Sequence, residues 1–227
     1  MGREYIRDTT QRNVGNVAGD IVLYEDFENA LFLWPITAGD NGTVARTTAA
    51  ASVYQGGGAM LMTQSATGVI ANPATRAQRL IGAMPSGISV LDFMANVRVS
   101  SPNATMGFDS RADTGIAIVI TGLRIAYSAA GVGSLQVETG DDTWTNVGLA
   151  SDVPRDLAWA RFILRANIGA LRYVSLQVNA RLIDLSALST PTIDTDGLQQ
   201  HTVLIQVFDT LDNGASLAID NILFRVE

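Results

Sequence analysis

Lysine and cysteine are absent from this 227-residue chain, and histidine occurs only once. Each absence removes a class of chemistry. Without lysine there is no phosphate-loop lysine and no Schiff base. Without cysteine there is no disulfide, thiolate zinc site or cysteine nucleophile, and the redox compartment is left open. Charge is scarce too. Asp, Glu, Lys and Arg make up 16% of the chain, against roughly 25% in average soluble domains. All fifteen basic residues are arginine, and the net charge is −7. No basic stripe is visible, so nucleic acid is not an expected partner. No apolar run approaches the ~18 residues of a membrane span, so no membrane partner is expected. Met1 to Asp20 lacks the apolar h-region of a signal peptide.

What the chain has is apolar residues, 47% of the total, arranged with period two. The clearest stretch runs from Leu157 to Ser186. Ala160, Phe162 and Leu164 stand opposite Trp159, Arg161 and Arg165. After a break at Asn167-Ile-Gly169, Val174, Leu176 and Val178 stand opposite Tyr173, Ser175, Gln177 and Asn179. Alternation of this kind marks half-buried strands, and the Gly-containing break joins them as a hairpin.

Further strands are expected over Asp20 to Glu28, Thr43 to Thr48, Ala59 to Thr63, Arg76 to Ile81 and Ile88 to Ser100. Others follow over Ile116 to Thr121, Leu123 to Ser128, Ser134 to Glu138, Thr143 to Val147, Thr202 to Phe208 and Leu217 to Val226. Asn213-Gly214 signals a hairpin turn. Leu185 to Gln200 reads as an irregular connection. About a dozen short antiparallel strands without an amphipathic helix imply an all-β jelly-roll sandwich. The expected organisation is one sandwich domain over 20–227 behind an extended arm over 1–19. The arm is polar, with Arg3, Arg7 and Arg12 suited to carboxylates on a neighbour.

Several residues carry a likeness to a known group. They are Phe27-Glu28 with Trp34, Gly56-Gly-Gly58-Ala-Met-Leu61, Trp144, Trp159-Ala-Arg161, Tyr173 to Asn179 with Ile183-Asp184-Leu185, and Ile219-Asp220-Asn221-Ile222. Their order resembles the concanavalin A-like (laminin G-like) jelly-roll sandwiches, a group with tailed-phage accessory proteins among its jelly rolls. Related carbohydrate-binding modules share parts of it. In those modules a carboxylate near the first strand and an Asp in the last strand share a calcium ion. The resemblance therefore implies calcium at Glu28 and Asp220, and no other cofactor.

Catalytic constellations are sparse by eye. Glucanases of this fold carry carboxylates at alternate positions of one strand, where they share a face. In Glu25-Asp26-Phe27-Glu28 only Asp26 and Glu28 share a face, so the pattern fails. His201 lacks a Gly-x-Ser-x-Gly partner and reads as a strand-edge histidine with a structural hydrogen bond. Gly56-Gly-Gly58 precedes no helix and reads as a tight turn. Trp34, Trp144 and Trp159, with Tyr54, Tyr127 and Tyr173, are candidates for a sugar-stacking platform or for the core.

The expectation from these signs is a non-catalytic structural protein of a virion, such as a capsid decoration protein. It would assemble as a homo-oligomer, or with other virion proteins, through the arm. Its expected location is the virion, with an extracellular location as the alternative. The alternative function is a carbohydrate-binding module or lectin-like domain with a glycan partner, and a glycoside hydrolase stands behind both.

Overall fold

The structure is a computed structural model. It describes residues 20–28, 34–37, 42–64, 74–81, 87–98, 104–128, 132–153, 158–195, 201–208 and 215–227. The expected arm with Arg3, Arg7 and Arg12, and the Asn213-Gly214 turn, lie outside the described residues.

In chain order the strands are β1 (Asp20–Glu25), β2 (Ile36–Thr37), β3 (Gly42–Thr47), β4 (Ala59–Gln64), β5 (Ala74–Ile81), β6 (Ile88–Arg98), β7 (Thr105–Asp113) and β8 (Ala117–Tyr127). They continue as β9 (Gly133–Gly140), β10 (Thr143–Asn146), β11 (Trp159–Asn167), β12 (Arg172–Val178), β13 (Arg181–Asp184), β14 (Thr192–Asp194), β15 (His201–Phe208) and β16 (Ser216–Val226). The first sheet has the order β13-β12-β11-β6-β16-β4-β3, with β1 also on β16. The second has the order β10-β9-β8-β7-β15-β5-β2, with β14 also on β8. All pairings are antiparallel, and the two sheets face each other as a jelly-roll sandwich.

The core is the period-two faces meeting. Phe93 of β6 and Phe162 of β11 stack on Phe108 of the opposite sheet, with centroids 4.1 Å apart for Phe93–Phe108 and 5.2 Å for Phe93–Phe162. The expected hairpin is β11–β12, and Ala160, Phe162 and Leu164 point inward as their spacing requires.

Four features depart from the sequence reading. β7 was not anticipated at all, because Gly107, Asp109 and Arg111 interrupt its apolar residues on the outer face. The two runs on either side of Gly122 are one continuous strand, β8. The irregular connection after Leu185 contains β14. The register of β11 and β12 shifts between Arg165 and Ala166. A bulge of this kind turns the strand over. Tyr173 therefore points inward and is 1% exposed, while Val174 is only half-buried.

Leu176 is fully buried in the core, whereas Gln177 faces outward. Leu176→Ala should cost about 2–5 kcal/mol by leaving a cavity. Gln177→Ala should stay within about 0.5 kcal/mol. Urea denaturation of both variants measures the difference, and equal losses would contradict the face assignment.

Candidate functional site

Inward Met106 and Phe108 on β7, Leu123 and Ile125 on β8, and Leu135 and Val137 on β9 leave the alternate residues on the outer face. Asp109, Gly122, Arg124, Gln136 and Glu138 are among those residues. On β10, Trp144 pairs across the strand with Glu138.

The strand ladder opens beneath this group. Pairing of β8 with β9 runs from Tyr127↔Gly133 to Leu123↔Val137 and ends there. The same edge of β8 is next taken by β14, at Val119. Tyr173 crosses from the first sheet into the opening. Its hydroxyl donates to the Glu138 carbonyl at 2.7 Å and accepts the Gly122 N–H at 3.1 Å. Backbone groups that lack strand partners are thus satisfied from below.

Above the sheet, three side chains converge on the place where Gly122 has none. A Cβ there would stand 3.0 Å from Glu138 Oε2, 3.0 Å from Trp144 Cη2 and 3.1 Å from Asp109 Oδ1. The two carboxylate oxygens therefore lie within about 6 Å of each other, across a floor that only glycine leaves open.

Both carboxyls are covered. Asp109 is 2% exposed and Glu138 6%. Burial pushes Asp109 up to about 6, against the opposing pull of Arg111 and Arg76. Burial also pushes Glu138 up to about 7, and the neighbouring Asp109 charge adds to it. Among the described residues Asp109 Oδ1 has no hydrogen-bond partner. Two adjacent carboxyls with raised pKa values hold a proton near neutral pH, which provides an acid and a base side by side.

The half-buried Trp144 completes the group. The Arg124 guanidinium carbon stands 4.3 Å from the centre of its ring, a cation–π contact. Arg124 Nε donates to Gln136 Oε1, and Gln136 Nε2 donates to Asn146 Oδ1 at 2.7 Å. One face of the aromatic ring is thereby covered by Arg124, which a chain of polar side chains orients.

The residues expected to hold calcium sit on the other sheet. The edge of β16 away from β6 pairs with β4 up to Ile219 and with β1 from Ile222. At the junction Asn221 adopts φ 53°, and Asp220 is fully buried. Asp220 Oδ2 accepts the N–H groups of Tyr54 (3.1 Å) and Gln55 (3.0 Å). Among the described residues its Oδ1 has no hydrogen-bond partner, although the Asn221 N–H also favours the ionised carboxylate. Burial raises the Asp220 pKa to about 6, and the Glu28 charge adds to the rise.

Glu28 Oε1 in turn accepts the Gly57 N–H at 2.7 Å. Gly56 has φ +79°, and a Cβ on it would stand 1.6 Å from that oxygen. The triple glycine is thus a tight turn, and the anion it cradles is the chain's own Glu28. Calcium takes six to eight oxygens. Among the described residues no group of three or more Asp, Glu, His or Cys side chains surrounds one point. Backbone carbonyls nearby are turned elsewhere: Arg46 Nε donates to Phe27 O at 2.5 Å, and Nη2 to Glu28 O at 3.2 Å and Gly57 O at 3.4 Å. What fits a cation is the orphaned Oδ1 of Asp220 within electrostatic range of Glu28.

Other candidates resolve as structural. Glu25 and Asp26 fold back to accept the N–H groups of Phe27 (3.0 Å) and Glu28 (3.2 Å). His201 Nε2 lies 2.7 Å from Ser110 Oγ, which is the spacing of a base and a nucleophile. Both are sealed in the interior, at 0% and 1% exposure. Burial depresses His201 to about 3, and no carboxylate orients its Nδ1. It lies within the second sheet, between β7 and β5, not at a strand edge. Trp34 and Tyr173 are core residues.

Asp109, Gly122 and Glu138 escaped the sequence reading. The signal that could have found them is Gly122, a lone glycine inside β-rich sequence, which marks close approach of another group.

No protein-family description and no curated protein matches the chain. Solved structures do. A conserved carbohydrate esterase from the Shiga toxin-encoding bacteriophage phi24B is similar over 92% of this chain and 99% of its own, with 14% identity and a TM-score of 0.65. A pseudo β-1,3-glucanase and immunostimulatory antigen of Mycobacterium tuberculosis is similar over 92% and 100%, with 9% identity and a TM-score of 0.54. Bacillus licheniformis β-glucanase is similar over 93% and 100%, with 12% identity and a TM-score of 0.51. The jelly-roll, concanavalin A-like fold is thereby established.

These findings correct two expectations. The capsid-decoration reading has no support among neighbours that are named for carbohydrate chemistry. The expectation of a chain without enzymatic activity fails as well. Proteins named as enzymes share this fold.

The raised Glu138 pKa fixes a sign. A carboxyl that holds its proton more tightly when folded stabilises the fold fully below its ordinary 4.5, and that stabilisation is lost as the pH rises to about 7. Wild-type stability should therefore contain a component that falls between these values, and Glu138→Gln should remove it. Melting curves of both proteins across this window measure it. Parallel curves would show that Glu138 titrates normally.

Proposed function

We propose that this chain recognises a carbohydrate on the outer face of its second sheet. The observation that carries this reading is the approach of the Trp144 ring edge and of the Asp109 and Glu138 carboxyls to the bare Gly122 backbone. Sugars present apolar C–H faces and polar hydroxyl edges. An aromatic ring suits the first, and a few placed polar groups suit the second. Arg124, Gln136 and Asn146 are such groups, already oriented by one another. The fold likeness to a carbohydrate esterase and β-glucanases supports the same class of ligand.

The carboxyl pair favours a second reading, hydrolysis of the bound glycoside. A separation within about 6 Å is nearer the spacing of retaining enzymes than that of inverting ones. Glu138 is the general acid of the pair. Asp109, which the Arg111 guanidinium faces at 3.8 Å, is the nucleophile.

Calorimetry with oligosaccharides chosen from a glycan array tests both. Trp144→Ala should weaken binding about tenfold or more. Glu138→Gln should keep binding while abolishing any release of reducing sugar. An array without signal at millimolar sugar would overturn the recognition reading. Binding without turnover would remove only the second.

Glu28 and Asp220 are also proposed to hold a calcium ion, which would tie the end of β1 to β16. An ion bound only by the folded state raises the melting temperature with its free concentration. A chelator should lower the midpoint of calcium-loaded protein, and Glu28→Gln with Asp220→Asn should erase the difference. An unchanged midpoint would exclude the ion.

A further inference from the structure

The outer face of the first sheet carries an aromatic pair that the Trp144 face does not use. Trp159 opens β11, and its neighbour Ala160 points into the core, so Trp159 points outward. Tyr54, in the loop before β4, lies against it with ring centroids 5.5 Å apart and planes inclined at 52°. Tyr54 is 51% exposed and Trp159 is half-buried.

The loop that presents Tyr54 is anchored. Asp220 Oδ2, fully buried, accepts the N–H groups of Tyr54 and Gln55. Two residues along β11 on the same face, Arg161 donates Nε (2.9 Å) and Nη2 (2.6 Å) to Asp92. Asp92 is buried, whereas the Arg161 side chain is 53% exposed. The Tyr54 hydroxyl lies within electrostatic range of this guanidinium. The pair fixes the orientation of Arg161 and neutralises its charge, while its remaining N–H groups stay available to a ligand.

We propose that Tyr54, Trp159 and Arg161 form a second contact site for a neutral polysaccharide, on the face opposite Trp144. The proposal rests on the reading of the chain as carbohydrate-binding. Two inclined rings offer apolar surfaces to successive pyranose units of a twisted chain. A guanidinium already paired with a carboxylate offers directed donors without net charge, which suits hydroxyls and not an anion. A protein partner would need about 800 Å² of interface on each side, far more than two rings supply. Sites on both faces favour polymers over short oligomers, because the second contact becomes effectively intramolecular or cross-links chains.

The test is affinity electrophoresis of the full chain through gels containing barley mixed-linkage β-glucan, laminarin or xylan, alongside calorimetry with short oligosaccharides. Tyr54→Ala and Trp159→Ala should weaken retardation by the polymer about tenfold, while changing oligosaccharide affinity at the Trp144 face less than twofold. Trp144→Ala should weaken both the retardation and the oligosaccharide affinity, about tenfold each. Retardation lost with Trp159 but indifferent to Trp144 would sustain this site and sink the other. Retardation equal to wild type in both Tyr54→Ala and Trp159→Ala would overturn the proposal, as would the absence of retardation by every polymer. In Trp144→Phe, Trp159 is the one tryptophan left outside the core. Its emission should shift when the retarding polymer is added, and an unchanged spectrum would also overturn the proposal.

Discussion

The Tyr173 hydroxyl is the contact on which the candidate site depends. Where the β8–β9 ladder ends, the Gly122 N–H and the Glu138 carbonyl would face the interior without partners. Tyr173 spans the sandwich from the first sheet and satisfies both. A buried phenol without such partners would be costly, and so would the two backbone groups. Each solves the other's problem, and the result is a fixed point. The side chains of Glu138 and its cross-strand neighbour Trp144 rise from backbone that is pinned from below. The bulge that turns Tyr173 inward is therefore part of the site, although it belongs to the opposite sheet.

This explains how much was legible in the sequence. Period-two alternation in Ala160 to Leu164 and Leu176 to Val178 shows directly, because apolar and polar faces differ. The fold class follows from many such runs. β7 was illegible for the same reason in reverse. Its outer positions hold Gly107, Asp109 and Arg111, and its inner ones include Ser110, so neither face reads as uniformly apolar or exposed. Gly122 looked like a break because glycine usually weakens a strand. In the structure it is a place where side chains from β7, β9 and β10 converge. Convergence across three strands has no linear spacing, so a search for carboxylates at alternate positions of one strand could not find it. That Glu28 and Asp220 come within electrostatic range of each other has no local signal either, since they lie near opposite ends of the chain, and only the resemblance pairs them.

The functional correction follows the same line. Low charge and the lack of a recognisable motif had favoured a structural role. Yet the scarce charges are not spread evenly. Asp109, Glu138, Arg111 and Arg124 gather on one face, and Asp92, Arg161 and Asp220 on the other. Covered carboxylates are expensive to keep, and a chain that only needed a sandwich could place apolar residues there at less cost.

How each acid is satisfied separates scaffold from site. Asp92 has a bidentate arginine, and Asp152 accepts from Arg181 and from the Leu149 N–H. These acids are spent on structure. Asp109 and Asp220 each keep one buried oxygen without a hydrogen bond, and both have pKa values raised to about 6. Native proteins leave few buried polar atoms unpaired. Local rules tend to be broken where function requires it. One such oxygen, on Asp109, meets the Glu138 carboxyl and the Trp144 ring edge at Gly122. The other, on Asp220, lies within electrostatic range of Glu28, and its carboxylate also holds the Tyr54 loop. Each sheet thus carries on its outer face a covered acid with one oxygen left without a hydrogen bond among the described residues, close to a segment that presents a partly exposed aromatic ring.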